Sequence, residues 1–369
     1  MKKTLVAAAA ALAATGAFAQ SNVTISGVAS AGLQYRSTNT GNAGSEKWQI
    51  GNGTPNRLKF AGTEDLGGGL SASFALDNRF DLSTGVPDQA QATAGYAAGG
   101  TVAVATTGTT YRPFWHGQST VSIKGNFGEL KIGRDFSPYQ ISIPAIADPW
   151  SLSSLASVVF YAGQASDYVR GGEGRIQRAF FYNSPSFNGF SINFANGFDK
   201  GPGNRTTQGL DLRYNNGPLA LALGGERNRF NDSILAFAAG YNFGSFKIGG
   251  DIYRTKGGSA ADRAGSAFFA SATFAGQVAA NGTINGYSLN GVIPWGAAEV
   301  RVGYASWNGN GGVGTSNRDS KLGVGVWYSL SKRTRIYTDV ASQTNKNALN
   351  ASGNNNATTL FDLGLDHAF

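Results

Sequence analysis

From Val23 to the final residue, apolar and polar positions alternate with a period of two in one short run after another. Val23-Thr24-Ile25-Ser26-Gly27-Val28 opens the series, and Leu70, Phe74 and Leu76 then stand against Ser71, Ser73 and Asp77. Val121 and Ile123 alternate with Ser122 and Lys124; Leu210, Leu212 and Tyr214 with Asp211 and Arg213; Val300, Val302 and Tyr304 with Arg301. Leu322, Val324, Val326 and Tyr328 oppose Lys321 and two glycines, and Phe361, Leu363, Leu365, His367 and Phe369 oppose Asp362, Gly364 and Asp366. A strand whose side chains alternate in this way has one face in an apolar medium and the other in a polar one. More than a dozen such runs in series predict an all-β protein.

The spacers come in two alternating classes. Seven are short and rich in Gly, Asn or Pro, among them 65–69, 126–128, 215–218, 242–245 and 330–333, and read as tight hairpins. Eight are polar and mostly longer: 36–56, 81–117, 136–174, 199–207, 228–232, 255–282, 308–318 and 344–357. Together they join about sixteen strands. Short turns on one side and long loops on the other are the signature of a transmembrane antiparallel β-barrel, with the short turns and both termini periplasmic. A sandwich would not keep the rhythm, and a solenoid would repeat at a fixed length. The segment 264–281 is read as loop, although SAFFASATF has the pattern of a strand.

Composition agrees. Glycine accounts for 53 of the 369 residues, charged residues for 14% and aromatics for 12%, and cysteine is absent, which excludes disulfides and thiolate metal sites. No stretch after the N-terminus has the roughly 18 consecutive apolar residues of a transmembrane helix, a test to which barrels are blind. Lys2 and Lys3, the apolar run Thr4 to Thr15 and the small-x-small triplet Ala17-Phe18-Ala19 read as a secretory signal peptide over residues 1–19, in preference to a short anchor helix. The mature chain, 20–369, then holds 28 basic and 22 acidic residues, a net charge of +6.

Several segments carry a family resemblance. SNVTISGVASAG (Ser21 to Gly32), RLKFAGTEDLGGGL (Arg57 to Leu70), VSIKGNFGELKIGRDFSP (Val121 to Pro138), YNSPSFNGFSI (Tyr182 to Ile192) and the closing LDHAF together resemble the general diffusion porins of Gram-negative beta-proteobacteria. The resemblance covers essentially the whole mature chain. It implies a homotrimeric, 16-stranded outer-membrane barrel with its third long loop, 136–174, folded into the lumen. It also implies a terminal Phe369 that serves as assembly signal for the barrel-assembly machinery, and contacts with outer-membrane lipid and lipopolysaccharide.

On physical grounds, a barrel of this size leaves a water-filled bore, open to small hydrophilic solutes and ions without any catalytic group. Strand parity assigns its lining. With Leu58 and Phe60 towards lipid, Arg57 and Lys59 face inward, and the same parity turns Asp77, Arg79, Lys124, Lys131, Arg175, Asp211, Arg213, Lys247, Asp251, Arg301, Lys321, Arg335 and Asp339 inward. Bases outnumber acids, which biases a pore towards anions; any one of these charges alone is an ordinary solvated lumen residue. Arg57, Arg79 and Arg134 are the leading constriction candidates, with Lys59, Lys124, Lys131 and Asp135 beside them. In the resembling porins, basic residues at matching positions line one wall of the eyelet, opposed by loop carboxylates. Parity from Leu130 and Ile132 turns Arg134 outward, so its place there requires a bulge near Gly133.

The loop 136–174, entered through Asp135, holds Pro138, Pro144 and Pro149 and several isoleucines, and its acids are Asp135, Asp148 and Asp167. Folded inward it would narrow the bore and oppose the basic wall with its acids, Asp148 foremost; the alternative is an extracellular lid. Tyr35, Phe80, Phe198, Trp307, Tyr337 and Phe369 lie near strand ends and Trp295 in a short turn, where membrane-interface aromatics are expected. His116 and His367 are the two histidines, placed in a loop and on the lipid side, so no relay for acyl chemistry is expected. No metal or cofactor is expected either, nor nucleic-acid binding, because the basic residues are scattered by parity. A substrate-specific sugar or peptide channel, or a barrel adhesin, stands as the functional alternative.

Overall fold

The computed structural model describes residues 22–37, 47–85, 114–115, 117–158, 174–262, 281–310, 316–346 and 356–369. The expected signal peptide, Asp167, His116 and nearly all of 264–281 lie outside the described residues. In chain order the strands are β1 (Asn22–Arg36), β2 (Trp48–Gly51), β3 (Arg57–Gly67), β4 (Leu70–Arg79), β5 (Gln118–Gly125) and β6 (Gly128–Phe136). After helix α1 (Pro138–Ala147) come β7 (Arg175–Asn183), β8 (Phe190–Gly197), β9 (Gln208–Asn216), β10 (Leu219–Arg227), β11 (Ser233–Asn242) and β12 (Lys247–Lys256). The last five are β13 (Thr283–Trp295), β14 (Ala298–Asn310), β15 (Ser316–Ser329), β16 (Thr334–Lys346) and β17 (Asn356–Ala368).

Each strand pairs antiparallel with its neighbour in sequence, and β17 returns to β1 with Val28 opposite Ala368, so the sheet closes on itself. Closure leaves no edge, so the strands pair their backbone groups with one another, the condition for crossing lipid as strands. The seven short hairpins fall at one end. The seventeen strands form sixteen staves, because β2 and β3 lie in line along the same side of β1: Gly32 to Tyr35 pair with β2, and Asn22 to Val28 with β3. This break in the second stave falls within the expected loop 36–56. Its residues turn inward, where Gly53 N and Thr54 N donate to Ser30 Oγ, each at 3.1 Å, and Thr54 Oγ1 donates to Asp366 at 2.7 Å.

The outer face follows the alternation: Leu322, Val324, Val326 and Tyr328 are exposed along β15, as are Leu210 and Leu212 on β9 and Val121 and Ile123 on β5. Two aromatics depart from expectation. Trp307 and Tyr337 point inward and are buried, Tyr337 next to Trp327, while Phe198 and Trp295 are exposed. The larger core among the described residues lies between the third loop and the inner wall, and includes Tyr139, Ile143, Trp150, Val158, Trp307, Trp327 and Tyr337.

Candidate functional site

The third loop leaves the wall at the end of β6 and runs round the inside of the barrel. Ser137 caps α1, its Oγ accepting from Gln140 N at 3.2 Å, and Pro138 follows at the first helical position, where a missing N–H costs nothing. The loop closes at its base through Ser137 N and Gly174 O at 2.8 Å. The helix lies against β8 to β13, closest to β10 and its neighbours β9 and β11. Its buried face, Tyr139, Ile143 and Ala147, sits over wall residues that are small: Ala222, Ala236, Ala238, Gly209, Gly224 and Gly249. At Gly249 no side chain fits, because a Cβ would lie 2.3 Å from the carbonyl oxygen of Ile146. The lumen is aqueous, so this burial removes apolar surface from water, about 1.5–3 kcal/mol for each large side chain fully covered. Burial beside Asp251 and Glu226 pushes the Tyr139 phenol well above its ordinary range.

Beyond the helix, polar contacts hold the chain to the wall. Trp150 Nε1 donates to Asp339 Oδ1 at 2.7 Å and Ser154 Oγ to Asp339 Oδ2 at 2.6 Å. Arg301 donates to Pro149 O at 2.8 Å and Lys321 to Ser157 O at 2.7 Å. Ser154 N then donates to Gly53 O at 2.5 Å, joining the loop to the broken second stave. Among the described residues the loop thus covers the inner wall from β8 to β17 and leaves β3 to β6 uncovered.

Cross-strand pairing sets the charges of that open wall. Arg57 lies opposite Arg79, and Lys59 opposite Asp77, which lies opposite Gln118. Asp77 is bound by Arg79 Nε at 3.0 Å, and Asp135 by Lys131 at 2.6 Å and Gln118 at 3.0 Å; Glu129 accepts from Asn183 at 2.9 Å. Each of these three acids is therefore engaged within its own wall. Among the described residues the Arg57 side chain makes no ion pair or hydrogen bond, though Asp77 and Arg79 lie near it, and Lys59 donates to the neutral amide of Gln118 at 3.1 Å. Counting staves round the closed sheet, β10 and β11 stand eight away from β1 and from the stave of β2 and β3. Arg57 and Lys59 thus face α1 across the bore.

The closed antiparallel barrel has known counterparts. A family model for Gram-negative porins matches residues 6–348. The chain is a Gram-negative porin. It is 28% identical to outer membrane porin protein 32 of Delftia acidovorans over 365 residues, 94% of this chain and 91% of that protein. Its fold superposes on the anion-selective porin from Comamonas acidovorans with a TM-score of 0.73, at 24% identity, covering 95% of this chain and 100% of that one. It also superposes on the trimer form of OmpT from Vibrio cholerae, with a TM-score of 0.63 at 13% identity, covering 95% and 99%. The porin is accordingly an integral outer-membrane protein whose barrel surrounds a transport channel.

Against this geometry three sequence-based expectations for the porin change. Asp148 does not face the bore: it is 3% exposed and accepts from Leu152 N at 2.7 Å, Ser157 Oγ at 2.7 Å and Trp150 N at 3.3 Å. Burial pushes its carboxyl above the ordinary range, opposed by those donors and by Lys321. Arg134 stays outward, because its pairing with β5 runs unbroken through Ser119; the bulge exists, but it falls where β7 supplies the extra residues Gln177 and Arg178. Its Nη1 reaches Gln177 Oε1 at 3.4 Å. Asp135, expected to oppose the bases, is buried between two of its own wall's donors.

The remaining positions are as parity has them. Lys124 is exposed near the short turn, opposite Ser71 and Glu129. Arg175 is buried, its Nε on Gly117 O at 2.6 Å and its guanidinium 3.9 Å over the Phe136 ring. Phe369 pairs with Gly27 of β1 through both backbone groups, at 3.0 and 3.1 Å. Sequence reasoning missed the loop's anchors, Asp339, Arg301 and Lys321, which read as pore charges. The signal for them was the inward Gly and Ala of β9 to β15, a track too shallow for anything but a packed backbone.

Proposed function

We propose that this porin is a passive diffusion channel for small hydrophilic solutes that prefers anions. The observation that carries the reading is the pair Arg57 and Lys59, neither of them in an ion pair among the described residues although Asp77 stands on the next strand, facing a helix that bears no charge. Cations on one wall, with no carboxylate on the helix opposite, raise the local concentration of anions where the low-dielectric protein narrows the water path. The anion selectivity of the Comamonas porin supports the same preference.

A planar-bilayer recording tests it. A potassium chloride gradient should give an ohmic, unsaturated conductance whose reversal potential lies on the chloride side. A cation-side reversal potential, or saturation by one sugar or peptide, would reject the reading.

The rest of the assembly follows the same line. Homotrimers accord with the trimer form of the Vibrio neighbour. Cleavage after Ala19, periplasmic termini, contact with lipid and lipopolysaccharide, and recognition of the β17 end with its Phe369 by the barrel-assembly machinery complete the proposal. Arg57, Lys59, Arg79, Lys124 and Lys131 are its anion-facing residues.

A further inference from the structure

We infer that the constriction is two-faced, basic on one side and aliphatic on the other, and that it favours small organic monoanions with an apolar portion over more hydrophilic anions of equal charge and size. The inference rests on the anion-preferring reading above and names the class of solute that the same site admits best.

The aliphatic side is Ile141 and Ala145. They lie one turn apart on α1, and both are exposed, Ile141 to 41%, while Tyr139, Ile143 and Ala147 on the other face are packed against the wall. Because the helix contacts β8 to β13 behind it, its exposed face is turned to the bore. The helix sequence PYQISIPAIA offers no charged side chain to bind or repel an ion there. The anchoring around it is dense: Ser288 Oγ donates to Ala147 O at 3.3 Å and Asn290 Nδ2 to Ile146 O at 3.2 Å. Ile141 is therefore held facing water and not free to fold away.

Opposite stand Arg57 and Lys59. A guanidinium offers a carboxylate two parallel donors, and Lys59 adds a second positive charge beside it on the same strand. A solute crossing this gap has one flank against cations and the other against a branched hydrocarbon. A monocarboxylate with an alkyl or aryl tail matches both, its tail shedding water onto Ile141 as its head exchanges water for donors. An anion hydrated on every side gains from the cations and loses hydration against Ile141 without return.

The test compares butyrate with lactate, equal in charge and close in size, using the full-length porin in planar bilayers under bi-ionic conditions. The permeability ratio of butyrate to lactate should exceed the ratio of their aqueous mobilities by about two- to fourfold, the scale of one methylene leaving water. Ile141→Asn should bring the ratio down to the mobility ratio, and Ile141→Leu should keep it raised. A wild-type ratio equal to the mobility ratio, or a raised ratio that persists in Ile141→Asn, overturns the inference. Should Ile141→Asn not assemble, Ile141→Ala is expected to give an intermediate ratio, and a ratio unchanged from wild type would overturn it equally. Chloride against potassium, recorded on the same channels, separates the two readings. Loss of anion preference defeats the channel reading, whereas anion preference without a butyrate advantage defeats this inference alone.

Discussion

Trp150 and Asp339 are 189 residues apart in sequence, and the indole Nε1 of the first donates to Oδ1 of the second at 2.7 Å inside the barrel. This bond fastens the third loop to β16. Trp150→Phe keeps a large aromatic ring but removes the donor; Asp339 retains Ser154 and Trp327. The expected loss is about 1–3 kcal/mol of loop docking. Single-channel traces should show a larger mean conductance with more frequent excursions, and the folded band on an unheated gel should convert at a lower temperature. Traces indistinguishable from wild type would mean that the loop is held elsewhere.

Neutralising the open wall should separate the true constriction from its neighbours. Arg57→Gln and Lys59→Gln are each expected to move the chloride reversal potential towards zero, and the double substitution further, by more than either alone. Arg134→Gln should leave it within error, since that side chain lies on the outward face with Gln177. Equal effects from Arg134 and Arg57 would contradict the assigned facing.

The alternation of Leu322 to Tyr328 and the seven short turns make the barrel legible in the sequence, because lipid outside and water inside impose a period of two that nothing else in the chain obscures. Parity assigns a face to each charge but no partner, so Lys321, Arg301 and Asp339 read as pore residues until the loop comes to rest on them. The break of the second stave is invisible for a simpler reason: residues 52–56, with Gly, Thr, Pro and Asn, have the composition of any outer loop. Nearness to strand ends suggests the membrane interface for Trp307 and Tyr337, when parity alone turns them inward onto the loop core.

Filling the track under the loop should be costly. Gly249→Val places a branched side chain where even a Cβ would meet the Ile146 carbonyl at 2.3 Å. The helix must lift, at an expected cost of about 1–3 kcal/mol. Conductance should rise and protease should reach 138–158, while the strand signature in circular dichroism stays as in wild type. A variant with wild-type conductance would show that the backbone accommodates the change without moving the loop.

Outside the membrane-spanning part, one carboxylate ties three loops together. Asp262 accepts from Ser259 at 2.8 Å, from Asn231 at 3.2 Å and from Arg205 at 2.5 Å. Hydrogen bonds from Ser259 and Asn231, with Arg205 nearby, hold its pKa down at about 2, below the ordinary 3.8. A depressed acid contributes above its unfolded value and loses that contribution as the pH falls through the folded one. The tie should therefore be intact from neutral pH to about 4 and released between about 4 and 2. Limited proteolysis of the loops should show that profile in wild type and a pH-independent, faster cleavage in Asp262→Asn. Identical cleavage of the two proteins at neutral pH would remove the tie.

The bond from Ser154 to Gly53 secures the third loop well away from its base. A loop attached at a single end could swing like a door, and its aperture would vary with temperature and voltage. Here the loop is fixed both at its base, beside Gly174, and midway along, at the interrupted second stave next to the seam where the first and last strands meet. Widening the passage thus means loosening the loop from the wall at its anchors, so the aperture is set by the cylinder to which the loop is tied.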